Sequence, residues 1–282
     1  RRVHGDSPKG IRICMAYDLA LNDGILSLRM HLPPIPFFAV HARLTHNRVF
    51  YNTSRATPLE HFQCSAKRGF SGKSRFTEAT SADLEFTTPL QIVEYPDPIL
   101  RAKNKRVGVF DDNLKRLVRE MFDVMYKTDG IGLSAPQVGV NIQLMVFNPA
   151  GEAGVGEEIV LIDPKVIKYS KKVLPFNEGC LSFPGIYADV ERPESLTIDA
   201  RDINGDRFEV NLSSLPARVF QHEFDHLQGI LFFDRMSEEV VDSIRPMLQA
   251  LEKKYEERSG LPSPERIESR KRRTSAVGFG RS

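Results

Sequence analysis

Cysteine is scarce in this chain: 282 residues carry only Cys14, Cys64 and Cys180. The first two fall in a segment that reads as a leader, which leaves Cys180 without a partner and argues against a disulfide framework. Charge of one sign is also lacking. Formal net charge is +2, from 39 Lys and Arg against 37 Asp and Glu, so nothing global points to a nucleic-acid partner. No apolar run is long enough to cross a bilayer. No apolar h-region with a small-residue cleavage site suggests secretion. The sequence starts at Arg1 without an initiator methionine, and Met30 is an alternative start. What the chain does have is 41% hydrophobic residues, enough for a globular core, and a length beyond the needs of one ordinary domain.

The surplus length sits at the front. Between Met30 and Thr77, Arg43, Arg48, Arg55, Lys67, Arg68, Lys73 and Arg75 face one acidic residue, Glu60, and Ser and Thr are frequent. Basic, hydroxyl-rich and acid-poor sequence is the signature of an organelle transit peptide. Residues 1–80 are therefore expected to be a disordered leader, 85–258 the catalytic domain, and 259–282 a disordered basic tail. Within the domain, residues 90–93 read as a short strand stopped by prolines. Leu114, Leu117, Val118, Met121, Phe122 and Met125 recur at helical spacing, with Asp111 or Asp112 as cap. Residues 142–147 and 158–162 read as strands. Alternation at Leu196, Ile198 and Ala200, and at Phe208, Val210 and Leu212, flanks Asn204-Gly205 and predicts a hairpin. Ser213 or Ser214 then caps a helix with Pro216 in its first turn. A last helix carries Val241, Ile244, Leu248 and Leu251, with a kink or late start expected at Pro246.

The chemistry lies in Gln221-His222-Glu223-Phe224-Asp225-His226. Side chains at i and i+4 share one helix face, so His222 and His226 can grip one metal ion while Glu223 reaches a water beside it. A catalytic site of this kind needs a third protein ligand. One protease pattern would place a histidine six residues after the second, where this chain has Phe232, although Gly229 fits the pattern. A glutamate from a later helix, Glu252 or Glu256, is another candidate. Cys180, in Glu178-Gly179-Cys180-Leu181-Ser182, is a third: a thiolate suits zinc or ferrous iron, though a lone Cys is often a small buried hydrophobe. The segment Gly130-Ile131-Gly132-Leu133-Ser134-Ala135-Pro136-Gln137 permits close backbone approach and offers the Gln137 amide to a developing oxyanion.

Those three segments, GIGLSAPQ, EGCLS and QHEFDHLQG, in this order, resemble the three signature motifs of peptide deformylase, and the basic leader resembles that of its plant organellar members. The resemblance covers roughly residues 89–257. It implies an α+β fold, with antiparallel β-sheets surrounding a central metal-binding helix. It implies a hydrolase that removes the formyl group from formyl-methionine of nascent organelle-encoded polypeptides and releases formate. Carried over residue by residue, it puts Cys180, His222 and His226 on the metal ligands, Glu223 on the general acid/base, and Gln137 with the Leu181 N–H on the oxyanion donors. It puts Gly130, Ile131, Gly132, Leu133, Phe176, Glu178, Gly179, Tyr187, Leu215 and Val219 at the substrate. Ile131, Phe176, Leu215 and Val219 are expected to line the methionine slot, and Asp225 to pair with Arg192. The implied cofactor is one divalent ion, Fe²⁺ ahead of Zn²⁺. The implied partners are N-formyl-methionyl nascent peptides, with the organellar ribosome as a candidate and neither membrane nor DNA. The implied location is the chloroplast stroma, with the mitochondrion as an additional or alternative site. Two positions depart from the family pattern. Ser134 replaces the usual Ala, with little effect expected, and Tyr187 stands where many bacterial members carry Arg. A metalloprotease and a non-catalytic metal-binding module are the competing readings of the same two histidines.

Overall fold

The structure, a computed structural model, describes residues 78–80 and 84–270. The expected leader lies outside the described residues except for 78–80, as does the end of the expected tail, 271–282. Residues 78–80 belong to the fold rather than to a disordered leader. Strand β1 (Glu78–Ala79) pairs in parallel with β2 (Arg106–Val107), and Ala79 is buried. No helix among the described residues is long and apolar enough to cross a membrane.

Helix α1 (Asp112–Lys127) begins where Asp111 accepts the Leu114 N–H at 2.9 Å, satisfying one of the free donors of the first turn. Its stripe buries Leu114, Leu117, Val118, Met121, Phe122 and Met125. Each such side chain contributes about 1.5–3 kcal/mol on leaving water. They pack against β3 (Gly132–Ser134) and β4 (Leu144–Phe147). These two strands start a five-stranded antiparallel sheet in the order β3-β4-β5-β8-β9, with β5 (Ile159–Tyr169), β8 (Ser195–Arg201) and β9 (Arg207–Ser213). Gly205, in the β8–β9 turn, has φ 92°, a conformation that glycine adopts without strain.

The expected strand at 90–93 does not form. Pro89 and Pro96 bound the run, and its backbone is tied instead to a turn, through Val93 N–H to Gln137 O at 2.8 Å. A second hairpin went unread in the sequence: β6 (Val173–Cys180) against β7 (Phe183–Pro193). In β7, Ile186, Ala188 and Val190 point inward and Tyr187, Asp189 and Glu191 outward. That alternation carries Arg192 inward, where it is fully buried.

Helix α2 (Ser214–Leu227) follows Ser213 at its N-cap and packs on β3, β4, β7, β8 and β9. Its apolar residues Ala217, Val219 and Phe220 join the inner face of the sheet in one cluster. Helix α3 (Glu238–Ser259) starts three residues before its apolar stripe, capped by Ser237, and runs through Pro246, so the expected late start is corrected. The chain beyond Ser259 is not a loose tail either. Ile267 is buried, its N–H donates to Glu252 at 2.7 Å, and Arg101 pairs with Glu265 at 2.6 Å. A single buried apolar residue, Ile267, in a polar stretch hid this docking from a composition-based reading. It also removes Glu252 as a metal ligand, because that carboxylate accepts from Tyr95 Oη at 2.9 Å and from Ile267.

Candidate metal centre

Cys180 ends β6, where a register shift after Gly179 sets it opposite Phe183 at the turn into β7. His222 and His226 come from successive turns of α2. Among the described residues, these three form a group whose donor atoms lie within 4.8 Å of one another, all buried. Cys180 Sγ is 3.3 Å from His226 Nε2. A tetrahedral ion with ordinary metal–sulfur and metal–nitrogen bonds spaces its ligand atoms about 3.5 Å apart, so the donor set fits one ion. Phe232, at the position of the protease pattern's extra histidine, lies 6.2 Å from the His222 ring and brings no donor atom.

The protonation states agree with that fit. Burial pushes His226 well below its ordinary value, with His222, Arg192 and Arg101 adding to the effect, and a neutral imidazole is the form that ligates. His222 Nδ1 lies 3.0 Å from Glu178 Oε2. With Nδ1–H donating to that carboxylate, Nε2 is the ligand atom. Burial pushes Glu178 upward, but the Arg192 guanidinium and the His222 bond more than reverse this and hold it at about 2.

Glu178 was expected at the substrate, and its carboxylate is occupied by protein partners. It is fully buried and engaged by Arg192 Nε at 2.8 Å and Arg218 Nη1 at 3.1 Å as well as by His222. Its position in β6 points it at α2, the same face as Phe176. Arg192 also reaches Asp225 at 2.6 Å, and Arg235 grips the same carboxylate through Nε at 3.0 Å. Arg218 was missed in the sequence, although it precedes His222 by one helical turn and so shares its face.

Glu223 is fully buried beside Gly132 of β3. A Cβ on Gly132 would fall 2.7 Å from Glu223 Oε1 and 2.6 Å from Val219 Cγ1. Gly130 approaches Leu181 in the same way, with 2.9 Å to Leu181 Cδ1. Ile131, Val219, Phe176 and Leu215 gather in one apolar cluster. Leu133 does not join them: its side chain packs with α1, leaving only its backbone to contribute at a substrate. Gln137 is fully buried in a short 3₁₀ turn (Ala135–Val138), with Nε2 3.6 Å from Cys180 Sγ and 3.3 Å from Ser182 Oγ. Ser182 was quoted in the sequence motif but given no role.

A cavity of about 300 Å³ opens at Cys180 and Leu181. Its lining includes the exposed Tyr187 with Gly185 and Ile186, and also Ile92, Glu94 and residues 127–129. Gly179 pairs with Tyr187 at its edge. A larger hollow of about 1100 Å³ beside Phe86 and Arg116 holds none of the three donors.

The chain is similar to proteins of one family. The family model described as polypeptide deformylase matches residues 89–241. Peptide deformylase 1B, chloroplastic/mitochondrial, of Arabidopsis thaliana is 63% identical over 245 residues, covering 86% of this chain and 89% of that protein. Peptide deformylase 1B, chloroplastic, of Solanum lycopersicum is 61% identical over 260 residues, covering 92% and 93%. The crystal structure of a point mutant of the Arabidopsis thaliana enzyme superposes with a TM-score of 0.64 at 72% identity, covering 65% of this chain and 100% of that one.

Proposed function

The chain belongs to the polypeptide deformylase family, and on that premise we propose how its residues remove the N-terminal formyl group of nascent peptides. Cys180, His222 and His226 would hold one divalent ion. Bound there, such an ion supplies Lewis acidity toward a water and toward the formyl oxygen. Glu223 takes the proton of the attacking water, and the water oxygen adds to the formyl carbon. Charge builds on the formyl oxygen, where Gln137 Nε2–H and the Leu181 N–H donate. Glu223 then returns the proton to the departing amine as the C–N bond breaks. The products are formate and a free N-terminus.

The substrate chain is proposed to lie along β3. This is an edge strand of the sheet, and Gly132 brings its backbone against Glu223. An extended peptide can add to such an edge through backbone pairing. Ile131, Phe176, Leu215 and Val219 would take the methionine side chain, and Tyr187 would meet the residues that follow. Fe²⁺ is the proposed ion, with Zn²⁺ as the alternative, since thiolate and imidazole suit both. Metal analysis of anaerobically purified protein, with activity restored by each ion in turn, decides between them.

The chain acts in the chloroplast, with the mitochondrion as a further site, following the locations in its relatives' names. Residues before 78 are proposed as the transit segment, and the organellar ribosome as the partner that presents formylated chains.

The observation that carries the reading is the juxtaposition of a fully buried Glu223 with three converging donors and the Gly132 backbone. Formate release from a formyl-methionyl peptide tests it. Glu223→Ala should keep its metal and lose about 100-fold or more in kcat. Cleavage of internal peptide bonds without formate release would instead favour a protease.

A further inference from the structure

Gln137 can donate to an oxyanion only if its carboxamide presents nitrogen, not oxygen, to the site, and the fold supplies a device for this. Ser134-Ala135-Pro136-Gln137 is a capping box, the S-x-x-Q arrangement in which the first and fourth residues satisfy each other at a helix start. Gln137 Oε1 accepts from Ser134 N at 2.9 Å and from Ser134 Oγ at 2.8 Å. The nitrogen end then faces Ser182 Oγ at 3.3 Å and Cys180 Sγ at 3.6 Å. Ser134, Gln137 and Ser182 are all fully buried. A rotated carboxamide would set NH₂ against the Ser134 N–H, donor against donor. The backbone N–H alone permits the correct orientation, and the hydroxyl adds a second bond that narrows it.

We propose that Ser134 is a positioning residue for the reaction: its hydroxyl, opposed by that of Ser182, locks the Gln137 carboxamide with Nε2 toward the formyl oxygen. This rests on the reading of Gln137 as oxyanion donor, and it revises the expectation that Ser in place of Ala at 134 is of little effect. The proton stays on each donor throughout, so the role is orientation alone. It acts in the transition state, where preorganised donors matter most, and not in peptide binding.

The test uses the full chain, zinc-loaded so that it is diamagnetic, with a formyl-methionyl peptide. Ser134→Ala should lower kcat about 3- to 10-fold, the effect of one buried hydrogen bond, and leave KM within about twofold. In a Gln137→Ala background the same change should have no further effect. The side-chain amide signal of Gln137 is assigned by its loss in Gln137→Ala. Its two protons should exchange with water faster in Ser134→Ala than in the wild type. An unchanged kcat with unchanged exchange overturns the proposal, as does an equal loss in the Gln137→Ala background. If Gln137→Ala itself keeps full kcat, the reading of Gln137 fails, and the proposal with it.

Discussion

On the α2 side of the cleft, charged groups from three elements converge behind the metal ligands: Glu178 from β6, Arg192 from β7, and Arg218 and Asp225 from α2. On the β3 side, neutral groups inside one four-residue turn, with Ser182 opposite, aim a single amide. The first side has to hold three donor atoms in place against an ion's charge. Buried charges are tolerated there only because each has an opposite partner. The second side has to present one neutral dipole, and local hydrogen bonds suffice for that. The difference shows in what each side needs from the rest of the fold. The charged side depends on the pairing of β6 with β7 and on their packing against α2. The neutral side depends on Ser134 and Gln137 being three residues apart.

The comparison breaks if the charged side is not the more fragile. Arg192→Met, a close match in length, should cost about 3–5 kcal/mol, because Glu178 and Asp225 lose a fully buried cation. Urea denaturation of the zinc-loaded chain measures this, with Ser134→Ala as the control, expected within about 1 kcal/mol of wild type. A loss of equal size in both variants would show the two sides to be equally braced. Gly132→Ala tests the seam where the sides meet. Its new methyl would sit 2.6 Å from Val219 Cγ1 and 2.7 Å from Glu223 Oε1, so the carboxylate or the helix has to move. We expect kcat to fall about 100-fold from misplacement of the base, with about 1–3 kcal/mol lost to overpacking. A nearly wild-type kcat would mean that Glu223 has room that the geometry does not show. Glu178→Gln keeps the shape of the side chain and removes its charge. Its expected effect is a roughly 10- to 100-fold weaker hold on the metal, read by competition with a chelator, since the orienter of His222 is weakened while the three ligands stay.

The same contrast explains what could be read in the sequence. Features set by local spacing were legible: the i, i+4 histidines, the α1 stripe with its Asp111 cap, and the Asn204-Gly205 turn. Features that arise when distant elements meet were not. Glu178 sits beside Cys180 in the chain and was assigned to the substrate. Only the β6–β7 register and the packing on α2 turn it toward His222. Arg192 was expected beside Asp225 only through the family resemblance, and its full burial follows from an alternation that begins at Ile186. The docking of residues 260–270 depends on Ile267 and on a carboxylate, Glu252, that stood among lysines and looked solvated. The S-x-x-Q capping box was legible in principle. It was overlooked because the segment was read for its glycines and for Gln137, and Ser134 only as a replacement for Ala.

Arg235 gives the finest test of how the charged side is built. Asp225 is held twice, by Arg192 at 2.6 Å and by both Nε and Nη2 of Arg235 at 3.0 and 2.5 Å. The two arginines differ in setting: Arg192 is fully enclosed, whereas the Arg235 side chain keeps 9% of its surface in solvent. If the network is over-determined, removal of the outer arginine leaves Asp225 still paired and near enough to water for partial rehydration. Arg235→Met should then cost only about 1 kcal/mol in urea denaturation, well below the loss expected for Arg192→Met. Metal retention should stay near wild type, because Glu178 and His222 keep all their partners. A cost as large as that of Arg192→Met would show that Asp225 needs both cations. The bracing of α2 would then extend outward through Arg235 to the turn that follows the helix, and would not be confined to the buried pair.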